Sequence, residues 1–294
     1  MNADKLALPS PFDRDFTGIV TRVARKRATS FAELVNSAQV ASYLKAGSIL
    51  IVRELSAHEP AGSLPEGHER IYWSGLRFLT QRAVMDVVES IDPPFVRRKG
   101  DGPFRATWES HDDYILDLLA FFFHPINYEH QYGVDQAMRK GWFAHDSLAD
   151  AIEWTAHSEV AAMCRMPLFR LQIMMAATAN HNDGIRAAIA ANYRAALDPW
   201  VAIYEETFAA RGLRVRDGHT VRQVADMLAA VVEGFALRRL GDPTAAVIGE
   251  TPAGNLAGQA VLGILNSYLV PIDHDAEEPL AVEFDRWTKR IDPA

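Results

Sequence analysis

The side chains best suited to chemistry in this chain are cationic and come in short groups. RVARKR (residues 22–27) holds four positive charges, RRK (residues 97–99) holds three, and Arg105 and Thr107 follow closely. Guanidinium groups bond phosphate oxygens and the O6/N7 edge of guanine, while an ammonium acts on phosphate as a point charge. Groups of this kind recognise polyanions; otherwise they are solvated faces. Bond-making arrangements are missing. GDGPFR supplies two of the three glycines of a dinucleotide turn, without a strand before it. The sequence has no phosphate loop, no GxSxG and no HExxH. Glu153 and His157 are four apart and share a helical face, but a carboxylate-bridged metal site needs a second such pair. Asp112-Asp113 and Glu277-Glu278 are adjacent acids that point to different faces. Cys164 is the single cysteine, which excludes an internal disulfide. The expectation is a non-enzyme with no catalytic residues, no metal and no cofactor.

The elements that must position those cations are helical. In GDGPFRATWESHDDYILDLLAFF (residues 100–122), a short apolar turn stops at Glu109-Ser110 and a strongly apolar run restarts at once. Ser110 is an N-cap for the restart, so a sharp change of direction costs little. Phe104 and Trp108, four apart, form one face for Val84 and Val88, and Arg105 and Thr107 occupy the opposite face. The predicted short helix is 102–108, and Thr80 caps another over 81–90. Before it, residues 1–16 read as a loose arm and 16–55 as mostly helix. Phe31, Leu34, Val35, Ala38, Ala41 and Leu44 give that helix one apolar stripe. Thr29 or Ser30 caps it, with Glu33 as capping-box partner. Residues 49–52 (ILIV) are either a helix end or a strand. A strand there would form a small hairpin, 49–53 with 70–79. Residues 57–70 are a Pro/Gly loop, and Pro93 and Pro94 keep the next turn out of helix.

After residue 123 the pattern predicts helices near 126–140, 147–164, 167–180, 183–211, 218–240 and 254–270. Strands do not alternate with helices, so a parallel sheet is not expected. The expected class is all-α, with an N-terminal domain over 1–123 and a helical regulatory and dimerisation domain over 124–294. The 294 residues are 49% hydrophobic and 23% charged, the profile of a globular chain. No apolar run reaches the roughly 20 residues of a membrane span. The first residues lack the apolar core of a secretory signal. No membrane association and a cytoplasmic location are expected. The net charge is -8, yet residues 1–113 carry equal numbers of basic and acidic residues, so the whole deficit falls on 114–294. A polyanion is repelled less by the first part than by the second.

The junction TWESHDDYILDLL resembles that of the TetR family of transcription regulators, in which a recognition helix runs through an aromatic and a short turn into a long helix. LTQRAVMDVVES is similar to the family's second helix, and the stretch 41–56 to its first. TVRQVADMLAAVVEGFALRRLGDP (residues 220–243) resembles its penultimate regulatory helix, and MPLFRLQIMMAA (residues 166–177) its Pro-led helix. The likeness spans roughly residues 35–270, with longer loops than the family has at 57–79 and 93–102. Arg105 stands where the family has Tyr, and His111 where it has Lys.

The resemblance implies a helix-turn-helix head that binds a double-stranded DNA operator through Thr80, Gln81, Arg82, Arg97, Arg98, Lys99, Arg105, Thr107 and His111. It also implies a cavity for a small apolar ligand. Trp142, Phe143, Trp154, Met163, Met166, Phe169, Met174, Met175, Tyr193 and Trp200 are its candidate walls, and His157, Gln172 and Asn180 its polar contacts. Homodimerisation is implied through the last two long helices. Val224, Met227, Leu228, Val231, Val232 and Phe235 come from one, and Leu256, Ala260, Leu262, Leu265 and Leu269 from the other. The expected function is a ligand-responsive regulator, a repressor released by its ligand. The alternative is a module of the same shape that binds a small molecule or protein and has lost specific DNA binding.

Overall fold

The computed structural model describes residues 7–24, 30–56, 75–127, 147–178, 182–247, 249, 251–273, 280, 282 and 286. Residues 25–27 of the first basic group, residues 70–74 of the strand candidate at 70–79, nearly all of the expected helix 126–140, Trp142, Phe143 and Asn180 lie outside them. The described residues contain ten α-helices and one two-stranded sheet. The all-α expectation therefore holds in its coarse form. The chain forms two compact units, Met1–His130 with Arg165–Ala195, and Gln131–Cys164 with Ala196–Ala294. This differs from a single cut at residue 123. The reason is visible in the first unit's core, which takes in Leu171, Met175 and Ile189 from later helices.

In the first unit, α1 (Phe31–Val35) starts at Ser30, not Thr29. The Ser30 side chain accepts from the Glu33 N–H, and the Glu33 carboxylate accepts from the Ser30 N–H. The helix stops at Asn36, where one continuous helix was expected. Asn36 turns its amide to the chain before it: the Phe16 N–H donates to Oδ1 at 2.9 Å, and Nδ2 donates to Asp15. Ser37 then caps α2 (Ala38–Leu55). Short polar side chains that bond the backbone locally compete with helix, and here two in a row break it. Residues 49–52 lie inside α2, so the hairpin 49–53/70–79 does not form. Thr80 caps α3 (Gln81–Ser90) as expected. Next come α4 (Asp101–Arg105), α5 (His111–Phe123, capped by Ser110) and a 3-10 turn at Pro125–Asn127. The unit is completed by α7 (Pro167–Thr178) and the start of α8 (Asp183–Ala210).

Aromatic rings lock α2, α4 and α5 together. Tyr43 meets Phe104 and Trp108 edge-on, and Tyr114 meets the same two rings at 5.3 and 5.0 Å. Val84 and Val88 join this core. The Tyr114 hydroxyl donates to the Tyr43 carbonyl. Gly47 lets the helices come this close, because a Cβ there would lie 2.4 Å from the Tyr114 oxygen and the Leu118 side chain.

The N-terminal arm extends to residue 24 and is not loose over its described part, residues 7–24. Leu8, Phe12, Phe16, Ile19, Val20 and Val23 are buried, and Phe12 packs on Phe95 and Phe121. Nor are residues 16–23 helical. Val23 forms an antiparallel bridge with Trp108, and the Ala24 N–H donates to the Thr107 carbonyl at 2.7 Å. This pairing draws Thr107 and Trp108 out of helix, so α4 ends at Arg105.

Asp117, on α5 and 1% exposed, joins the arm to the end of that segment. Its carboxylate accepts from the Thr21 N–H at 2.9 Å, from the Arg22 N–H and from the Trp108 indole N–H at 2.8 Å. Burial raises its pKa above the usual carboxylate value, and the three donors only partly offset that.

In the second unit, α6 (Leu148–Arg165, up to Cys164), the later half of α8, α9 (Val221–Gly241) and α10 (Leu256–Tyr268) pack together. Thr220 and Gln223 form a capping box on α9. Asn255 caps α10 and donates to the Glu153 carbonyl, while the Gly254 N–H donates to the Glu153 carboxylate. Glu153 is thus a helix-pairing residue. At Gly258 a Cβ would lie 2.8 Å from the Glu153 Cα, so α10 crosses α6 at close range. The sheet pairs β1 (Leu213–Val215) antiparallel with β2 (Leu269–Pro271). Residues 269–270, expected at a helix end, are strand because this partner is available.

Removing the Asp117 carboxylate leaves the buried Trp108 indole N–H and the part-buried Thr21 and Arg22 N–H groups without their acceptor. Asp117→Ala is expected to lower unfolding free energy by about 2–4 kcal/mol in chemical denaturation. Asp117→Asn is expected to recover little of it, because its NH2 would face one of those donors.

Candidate functional site

The head residues expected to meet DNA divide into three groups. Arg82, Arg98, Lys99 and Arg105 are exposed. Arg97 donates to the Ile91 carbonyl and pairs with Asp92 at 3.8 Å, yet its side chain stays 57% exposed. Arg98 lies against Gln39 and the Arg97 carbonyl. In the chain these cations bracket α4. Gly100, with φ +73°, opens α4 in a conformation that favours glycine, and its N–H donates to Glu89. The second group, Thr80 and Gln81, sits at the start of α3, where the Thr80 hydroxyl is engaged as the cap.

The third group is a correction. Thr107 faces inward: it is 1% exposed, accepts from the Gln39 amide at 2.6 Å and donates to the Pro103 carbonyl. The arm's bridge to Trp108 turned it in. His111 is likewise tied down. Its Nε2 lies 2.6 Å from the Leu79 carbonyl, and its ring stacks on Tyr114. Neither residue presents a polar group outward. Sequence reading also missed Asp117. Its one outward sign is an acid, four residues after Asp113, inside an otherwise apolar helical run.

The second unit holds a cavity of about 70 Å³. One face of α6 supplies Ile152, Thr155, Ala156, Glu159 and Met163. Leu197, Trp200 and Tyr204 come from α8, Ala225, Leu228, Ala229 and Val232 from α9, and Val261 from α10. The Trp200 and Tyr204 rings stack at 5.8 Å, and Tyr204 stacks in turn on Phe208. Burial, and secondarily the charge of Glu159, pushes the Tyr204 hydroxyl pKa well above its ordinary value.

Of the expected ligand residues, Met163 and Trp200 line this cavity. Trp154 is 37% exposed, and the His157 Nε2 lies 3.1 Å from the Gly249 carbonyl. Met166, Phe169, Gln172, Met174, Met175 and Tyr193 belong to the first unit, because the chain passes there at Arg165. Phe169, Gln172 and Met175 are buried in it, and Tyr193 is largely exposed. The signal that would have found the cavity was the recurrence of residues 152, 155/156, 159 and 163 along one helical face.

Leu228, Val232 and Leu265, expected at a dimer interface, are buried within the chain, and the first two line the cavity. Met227, Val231, Phe235 and Leu262 are partly exposed, beside Leu237 and Leu256 at 50% each. Among the described residues, no cluster of His, Cys, Asp and Glu is placed to hold a metal, and no single helix is long and apolar enough to cross a membrane. No family model matches the chain, and neither a curated protein nor a solved structure matches it.

Glu233, on α9, is pushed up to about 7 by burial alone. A carboxyl whose folded pKa is raised favours folding while it is protonated. Its contribution is therefore full below the ordinary value of 4.5 and is lost as pH rises from there to about 7. Melting temperature should fall across that window, and Glu233→Gln should flatten the fall, as read by calorimetry at half-unit pH steps.

Proposed function

We propose that the chain is a ligand-responsive, DNA-binding transcription regulator organised like members of the TetR family, acting as a dimeric repressor. The observation that carries this is the head. It has a capped α3, a turn, a short α4 bracketed by the exposed cations Arg98, Lys99 and Arg105, and a capped α5. A short helix held on an aromatic core and flanked by guanidinium groups suits a major groove, where phosphate contacts set the register. The partly exposed apolar residues of α9 and α10 are the proposed contact with a second copy.

Ligand release of the operator follows from linkage. If the bound molecule prefers the conformation that binds DNA less well, each ligand weakens the other by the same factor. The helix α8 supplies Leu197, Trp200 and Tyr204 to the cavity of the second unit and Ile189 to the core of the first.

The second reading, a small-molecule binder whose head has lost DNA, is favoured by the inward Thr107 and His111. The interleaved acids Asp92, Asp101 and Glu109 also favour it, because they dilute the positive face. Fluorescence anisotropy with duplex from the region upstream of the protein's own coding sequence separates the two. Binding below micromolar at about 50 mM salt is expected, with log K falling against log salt. Arg98→Ala with Arg105→Ala should make that slope shallower by about two phosphate contacts. No binding at micromolar protein, or a double variant indistinguishable from the parent, overturns the regulator and leaves the second reading.

A further inference from the structure

We propose that a separate cavity, walled entirely by the first unit, binds a small monocarboxylate with a compact apolar body, its carboxylate held by the Arg22 guanidinium. The cavity has a volume of about 240 Å³ and lies between the arm, α5 and the start of α8. A cavity of roughly 150 Å³ already admits benzene in an apolar interior, so one ring with a carboxylate arm fits here. The proposal goes beyond the regulator reading, and it rests neither on DNA binding nor on the cavity of the second unit.

Arg22 is the one Lys or Arg of the lining, and it is exposed. Its side chain makes no ion pair with a described residue. A Cβ on Gly184 would lie 3.7 Å from Arg22 Nη2, so the guanidinium sits over the first turn of α8. A helix N-terminus carries partial positive charge, and two positive groups therefore meet at this place. Asp183, the acid of that turn, is paired with Arg186. An anion beside the guanidinium and the turn is attracted by both, and a carboxylate matches the guanidinium fork. Thr21 adds a hydroxyl to the lining and His124 adds a ring N–H. The Ile126 N–H donates to His124 Nδ1 at 3.3 Å, so Nε2 carries the hydrogen, and burial lowers the ring's pKa and keeps it neutral at pH 7.

Asp117 is the one acid of the lining, at 1% exposure. Its oxygens are already met by the Thr21, Arg22 and Trp108 N–H groups, and the Arg22 charge is the smallest of the influences on its titration. The guanidinium is thus not committed to it. The remaining walls, Ile19, Leu116, Ala120, Ala188 and Ala191, are apolar, and the alanines leave the space that a ring would fill. A bound carboxylate joins the arm to α5 and α8. The arm is the segment whose Thr21 and Arg22 N–H groups hold Asp117, so occupancy stabilises the unit by mass action.

The test is calorimetric titration of the full chain, without DNA, with benzoate, benzamide and benzylammonium. Benzoate should bind one per chain and about tenfold tighter than benzamide, the difference between a charged and a neutral partner for one guanidinium, with benzylammonium weakest. Arg22→Gln alters only an exposed side chain and keeps the backbone N–H that Asp117 accepts. It should remove the preference for benzoate and leave benzamide affinity unchanged. Ala191→Leu should fill the cavity and abolish binding of both, and circular dichroism melting of each variant separates loss of fold from loss of binding. Equal affinities for the three probes, tighter binding of benzylammonium, a benzoate preference that survives Arg22→Gln, or no binding by the folded parent overturns the proposal. Benzoate binding without DNA binding defeats the regulator reading alone, and DNA binding without a benzoate preference defeats this inference alone.

Discussion

A buried carboxylate holds the first unit in its shape. Asp117 lies almost wholly out of water, a costly position that is tolerated because three N–H donors converge on it. Two of those donors are backbone groups of the arm and the third is the indole of Trp108. The same residue therefore fastens the arm to the core and fastens the end of the α4 segment to α5. Trp108 in turn carries the ring cluster that includes Phe104, Tyr43 and Tyr114. The direction of α4, and with it the placement of Arg105, depends on this one junction. The bridge between Val23 and Trp108 makes the dependence mutual, since the arm is positioned by the segment it supports.

The second unit is organised around close helix approach rather than a buried charge. Gly258 lets α10 lie against α6, and Glu153 spends its carboxylate and carbonyl on the cap of that same helix. With α6 and α10 held this way, small residues on α6 and α9 leave the cavity between them unfilled. The aromatic pair from α8 forms one wall of it. The two units thus present different chemistries, an exposed cationic edge in one and a small, mostly apolar cavity in the other.

Helix positions after residue 147 were legible to within a few residues, because 3.6-residue periodicity and side-chain caps are local signals. Ser30, Thr80 and Ser110 cap as their spacing indicates. What escaped the sequence was set by partners distant along the chain. The arm's apolar residues have no period of their own and become core only against α2 and α5. Thr107 reads as outward on a helix and turns inward because Val23 and Ala24, more than 80 residues away, pair with its segment. The small sheet joins residues 213 and 271, and neither strand announces itself alone. The cavity was misplaced for a related reason. Aromatic and methionine richness located an apolar region, but the chain hands Met166 to Met175 to the other unit. Leu228 and Val232 were correctly apolar and wrongly assigned to a surface.

Hydrogen exchange, followed residue by residue with NMR, addresses the junction most directly. If Asp117 anchors the head, the Trp108 indole N–H and the Thr21 and Arg22 amides exchange only through global unfolding, with the slowest amides of α2 and α5. Exchange of those three protons at rates near those of a free peptide, while α2 and α5 remain protected, would contradict the claim that this carboxylate positions the segment.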